Sequence, residues 1–88
     1  MTYKLKFTDR YRKQFKKLDR ANQQRINEYL IKISILGNPR ELGKSLNGTL
    51  SNLWSYRIGN YRLLCQIKDK ELVVYIHKVA HRSIVYKQ

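Results

Sequence analysis

Eighty-eight residues, with nineteen lysines and arginines set against six acidic residues, carry a formal net charge of +13. A chain of that length is expected to form one domain, residues 1–88, whose small core gains from a partner or a ligand. Its one cysteine, Cys65, rules out an internal disulfide, and the alternating start Thr2-Tyr3-Lys4-Leu5-Lys6-Phe7 resembles neither an apolar signal region nor a span of about 20 apolar residues, so a cytoplasmic location is expected and no membrane partner.

Tyr3, Leu5 and Phe7 alternate with Lys4 and Lys6, a period of two that predicts a strand. Thr8 and Asp9 supply an N-cap for a first helix. Phe7, Tyr11, Phe15 and Leu18 recur along it at spacings of four, four and three, with Arg10, Arg12, Lys13, Lys16, Lys17 and Arg20 around them. A second helix is predicted from about Ala21 to Leu36, with Ile26, Tyr29, Leu30 and Ile33 inward, and the two helices should form a hairpin. Gly37-Asn38-Pro39 ends it. From Arg40 to Gly48 the chain reads as a polar loop. Three strands follow, Leu53 to Ile58, Tyr61 to Ile67 and Glu71 to Val79, joined by a Gly59-Asn60 turn and a charged Lys68-Asp69-Lys70 turn. Ala80 to Gln88 remains as a tail.

This order, β-α-α-β-β-β, predicts an α+β fold with the helical hairpin on one face of a small, mostly antiparallel four-stranded sheet. The other face would be open and basic. A pI near 10.2 suits polyanionic partners such as nucleic acid or an acidic protein.

No cofactor is expected. Gly43-Lys44-Ser45 lacks the earlier glycine and the strand of a phosphate loop. His77 and His81 sit four apart outside a helix, with no carboxylate cluster beside them, so no metal site is expected either. Metal-free RNA cleavage needs less: a base for the 2′-hydroxyl, fixed cations for the phosphorane charge and a proton for the departing 5′-oxygen. Arginine suits the second task through its planar fork. Arg57, Arg62, His81, Arg82 and Tyr86 offer these residue types in the C-terminal half. His77, in an apolar strand, reads as structural, Cys65 as a small buried hydrophobe, and Trp54 and Tyr61 as sheet-packing residues.

The stretch Leu46-Asn47-Gly48, followed by Leu53-Trp54-Ser55-Tyr56-Arg57-Ile58-Gly59-Asn60-Tyr61-Arg62-Leu63, resembles the central signature of the RelE/ParE toxin superfamily. The tail Val79-Ala80-His81-Arg82-Ser83-Ile84-Val85-Tyr86 resembles that family's closing motif, and the predicted element order fits its fold. The resemblance implies a RelE-type toxin of a type II toxin–antitoxin system, a ribosome-dependent endoribonuclease that cuts messenger RNA in the A site. Arg62 would contact the scissile phosphate, Arg82 would stabilise the charged transition state, and Tyr86 would orient or stack on the substrate. Implied partners are a RelB-like antitoxin, messenger RNA and the ribosome with its 16S RNA, and operator DNA bound only as the toxin–antitoxin complex. Lys13, Lys16, Lys17, Arg20 and Tyr61 are candidate RNA contacts.

The sequence departs from the family's pattern at Trp54-Ser55-Tyr56, where the best-known RelE enzymes carry two lysines. Lys44 in the preceding loop and His81 are the candidates for proton transfer, since Arg57 is too weak a base. His81 and Arg82 are adjacent, so an extended backbone would point them to opposite faces. Two other readings share the fold: a ParE-like gyrase inhibitor without nuclease activity, and a catalytically inactive corepressor.

Overall fold

The structure, a computed structural model, describes residues 2–46 and 53–81. The elements are β1 (Lys4–Phe7), α1 (Asp9–Lys16), α2 (Arg20–Ile35), a 3-10 turn (Pro39–Glu41), β2 (Lys44–Ser45), β3 (Trp54–Ile58), β4 (Tyr61–Lys68) and β5 (Val73–His81). The α+β class and the helices on one face of the sheet are as the sequence predicts. The sheet has five strands rather than four, in the order β1-β5-β4-β3-β2. The extra strand is β2, read from sequence as loop. Its two polar residues carry no hydrophobic alternation, and backbone pairing of Lys44 with Ser55 and Ser45 with Trp54 makes it a strand. All neighbours are antiparallel except β1 and β5. The last strand begins two residues later than expected, after a turn in which Leu72 takes a φ of 55°, and it runs on through Ala80 and His81 opposite Arg62 and Tyr61.

The helix-side face is apolar because of two periodicities. Leu5 and Phe7 of β1 lie beside Val74 and Ile76 of β5, while Tyr11, Ile26, Leu30 and Ile33 come down from the helices. Phe7, Tyr11 and Phe15 form a ladder of rings with centroids 5.3 Å and 5.6 Å apart. Ile33 and Tyr56 are fully buried, and each such side chain contributes roughly 1.5–3 kcal/mol of transfer free energy.

Strand β5 carries a one-residue bulge. Leu64 pairs with Lys78 but Cys65 pairs with Ile76, which leaves His77 as the extra residue. The insertion keeps both Val79 and Ile76 on the helix side. It also ties down α1, because Thr8 Oγ1 donates to the His77 carbonyl at 2.6 Å and accepts from the Tyr11 amide at 3.1 Å. Further along, the Val79 amide donates to Gln14 Oε1 at 3.0 Å.

β1 lies at the sheet margin, and a groove of about 630 Å³ runs between it and α2, lined among others by Leu5, Phe7, Leu30 and Ile31. Ile31 and Ile35 on α2 are 63% and 71% exposed. No helix among the described residues is long and apolar enough to cross a membrane.

Thr8→Ala removes both an N-cap and a tether to the bulge, so it should destabilise the protein by about 1–2 kcal/mol, measured by urea unfolding; an unchanged midpoint would contradict the double role. Tyr11 Oη is buried without a hydrogen-bond partner, and burial raises the pKa of the phenol from 10.0 to about 12. A raised folded-state pKa means that the associated stability is complete below pH 10 and is lost as pH rises toward 12. Tyr11→Phe should therefore hold stability at neutral pH and lose less of it in that alkaline window, as read by thermal melts across the pH range.

Candidate active site

The β3–β4 hairpin builds the site. Gly59 has a φ of +59° and is the first central residue of a two-residue turn, the glycine position of type II′. Asn60, which the sequence also offers for positive φ, does not adopt it. A two-residue turn leaves one register: Ile58 opposite Tyr61, Arg57 opposite Arg62, Ser55 opposite Leu64. Residues directly opposite share a face, so Arg57 and Arg62 stand side by side on the face away from the helices. Lys44 joins them through its pairing with Ser55.

These residues, with Gly43 and Tyr29, line a cleft of about 260 Å³ at the β2 end of the sheet. None of the described lining residues is acidic. Arg57 and Lys44 are exposed, whereas Arg62 and Ser55 are each only 2% exposed. Ser55 Oγ is buried without a hydrogen-bond partner, which costs stability. Like charges placed directly opposite on a sheet also cost stability. The cleft is a place where local stability gives way to a concentration of cations and polar groups.

A clamp over the sheet margin positions Lys44. Tyr56 Oη donates to the Pro39 carbonyl at 2.6 Å, and Trp54 Nε1 donates to the Leu42 carbonyl at 2.7 Å. Tyr56 is fully buried against Tyr29, ring centroids 5.7 Å apart, and this burial pushes its phenol pKa up. Arg40 grips Asp69 through two hydrogen bonds of 2.8 Å and 3.1 Å, and Tyr3 Oη donates to the same carboxylate at 2.7 Å. The Arg40 and Tyr3 bonds hold the Asp69 pKa below its ordinary value. Gly43 has a φ of +77° and packs so closely that a Cβ there would meet the Ser55 carbonyl, Trp54 Nε1 at 2.7 Å and Tyr56 Cδ1 at 2.9 Å.

Of the residues singled out from sequence, Arg57, Arg62 and Lys44 come together at the cleft. His81 does not. It pairs with Tyr61 at the end of β5, its ring edge-on to the tyrosine at 5.5 Å, and Tyr61 packs against the helix-side core. Lys13, Lys16, Lys17 and Arg20 are exposed on the helical layer, and none of them lines the cleft. Arg82 and Tyr86, like Asn47 and Gly48, lie outside the described residues. The sequence reading named Gly43 only within a rejected phosphate-loop motif and Ser55 only within the family signature, neither as a site residue. Ser55 was findable, because it lies two positions from Arg57 on the same strand and so on the same face.

Two guanidinium groups and an ammonium group on one wall can grip a phosphodiester from two directions and offset charge built up on it.

A five-stranded sheet backed by two helices, with a cationic cleft at one end, defines a small basic α+β protein. It belongs to the ParE toxin family of type II toxin–antitoxin systems, whose profile matches residues 5–86. Toxin RelG of Mycobacterium tuberculosis is 32% identical over 88 residues, covering all of both chains. The toxin–antitoxin complex RelBE2 of the same organism contains a chain 32% identical to this one, with 94% of each covered and a TM-score of 0.72. A variant of Escherichia coli toxin RelE in the free state is 26% identical, covering 99% of this chain and 93% of that one, with a TM-score of 0.77.

Gly43→Ala must strain both the left-handed backbone and the contacts with Ser55 and Trp54, so it should cost about 1–3 kcal/mol in chemical denaturation. Wild-type stability in that variant would show that β2 is free to shift.

Proposed function

We propose that the chain is a ribosome-dependent endoribonuclease, the toxin of a RelBE-like pair, and that it cuts messenger RNA in the A site without a metal. The observation that carries this reading is the Arg57–Arg62 pair, fixed in register across the β3–β4 hairpin, with Lys44 beside it. In the proposed step the 2′-oxygen gives its proton to a base and attacks the adjacent phosphorus. The bond to the 5′-oxygen breaks, and that oxygen takes up a proton. Arg57 and Arg62 would bind the phosphate oxygens as negative charge grows on them. The placement of Lys44 at the cleft and of His81 beyond Tyr61 favours Lys44 as the proton-transfer group. Arg82 and Tyr86 keep the roles that the resemblance gives them, as transition-state cation and substrate-orienting ring. A site with so few proton-transfer groups suits an enzyme that takes its substrate alignment from the ribosome, since positioning alone can supply up to ~7–11 kcal/mol. Lys13, Lys16, Lys17 and Arg20 on the helical layer would then face ribosomal RNA.

The proposed partner is a RelB-like antitoxin, with which the chain would bind operator DNA and repress its own synthesis. Relatives from Mycobacterium tuberculosis and Pyrococcus horikoshii form complexes with such antitoxins, and a net charge of +13 favours an acidic partner segment.

A second reading, inhibition of DNA gyrase without nuclease activity, draws support from the ParE family match. Primer extension on a defined messenger RNA, with and without programmed ribosomes, separates the two. The expected result is cleavage at the A-site codon that requires the ribosome and falls by about 10²–10³ in Arg62→Ala. Arg57→Ala, at an exposed position, should reduce cleavage while leaving the fold intact. Toxicity in cells without cleavage in either condition would favour the gyrase reading.

A further inference from the structure

The sheet face away from the helices carries a second feature well away from the cleft. Lys6, Tyr75 and Gln66 occupy one cross-strand row through β1, β5 and β4. Lys6 Nζ lies 5.8 Å from the centre of the Tyr75 ring. The Tyr75 and His77 rings are near parallel, 26° apart in plane, with centroids 6.4 Å apart, and His77 Nε2 lies 3.3 Å from Gln66 Oε1. The bulge accounts for the grouping. The side chain of His77, the inserted residue, stays on the face of Tyr75, and Lys78 opposite Leu64 follows on that face as well. A hollow of about 360 Å³ beside this row is lined by Lys4, Lys6 and Val73 and by Glu71 at its rim. Tyr75 Oη donates to Glu71 Oε1 at 3.3 Å, which fixes the phenol end of the ring.

We infer that Tyr75 and His77 form a stacking platform for a base of single-stranded RNA, with Lys6 and Lys4 placed to hold the adjoining phosphates. This rests on the reading of the cleft as an RNA site. Aromatic rings on a basic sheet face hold unpaired bases by stacking while lysines follow the backbone. The platform serves a nucleotide other than the one at the cleft, because Gln66 lies four residues along β4 from Arg62, a distance of about 13 Å. It therefore extends the footprint along the strand and adds affinity without taking part in bond cleavage.

The test is fluorescence anisotropy with a labelled 2′-O-methyl oligonucleotide, which has no free 2′-hydroxyl and cannot be cut by the proposed step. Tyr75→Leu should weaken binding by about ten-fold while keeping the wild-type salt dependence, and Tyr75→Trp should restore affinity. Lys6→Ala should reduce the slope of affinity against salt by about one counterion. Circular dichroism confirms that each variant folds. Binding by folded Tyr75→Leu within about two-fold of wild type overturns the platform, since lost stacking costs more than that. Equal affinity for a duplex, which offers no base to stack, overturns it too. Wild type that binds no free RNA yet cuts messenger RNA on programmed ribosomes overturns the platform alone; failure in both assays removes the cleft reading with it.

Discussion

The inserted residue in β5 is the constraint on which the two faces of the sheet depend. Val74, Ile76 and Val79 are all buried, yet an unbroken strand would send Val79 to the face opposite Ile76. The extra residue at His77 restores Val79 to the core, and the carbonyl at the bulge becomes an acceptor for Thr8. The start of α1 is thereby anchored to β5, with Gln14 making a second attachment at Val79. The same irregularity gives the far face consecutive polar residues, His77 and Lys78. Core packing, helix docking and the chemistry of the far face all follow from one inserted residue.

The cationic groups divide between two surfaces because the sheet separates them. Arg57, Arg62 and Lys44 are held by strand pairing, and side chains on strands keep more precise mutual geometry than side chains on loops. The lysines of α1 stand on the other layer and are free in solution, a disposition suited to attraction over a distance rather than to holding one group in place. Arg62 is buried and Arg57 exposed, so the pair presents one fixed guanidinium and one adaptable one to the cleft.

Much of this was legible in the sequence. The Gly59-Asn60 turn sets the register that pairs Arg57 with Arg62, and the stripe of Phe7, Tyr11 and Phe15 survives as a ring ladder. Strand β2 was not legible, because its two polar residues are ordered by Trp54, Tyr56 and Gly43, which act through tertiary contacts. The bulge left a trace that went unused: the apolar spacing along β5 changes from two, Val74 to Ile76, to three, Ile76 to Val79. Alternation also predicted that His81 would leave the face of its chain neighbour, but only the pairing with Tyr61 shows which face it takes.

The margin of β1 carries a consequence for the behaviour of the isolated chain. The groove beside this margin is lined by Ile31, and Ile31 and Ile35, one helical turn apart on α2, are both exposed, a combination that invites self-association. Lys4 and Lys6 oppose it, because a strand added there would have to strip water from two ammonium groups. The remaining defence is mutual repulsion between copies that each carry +13. Screening shortens that repulsion to about 8 Å at physiological ionic strength, so concentrated salt, often used to keep basic proteins in solution, removes the main barrier to self-association in this one.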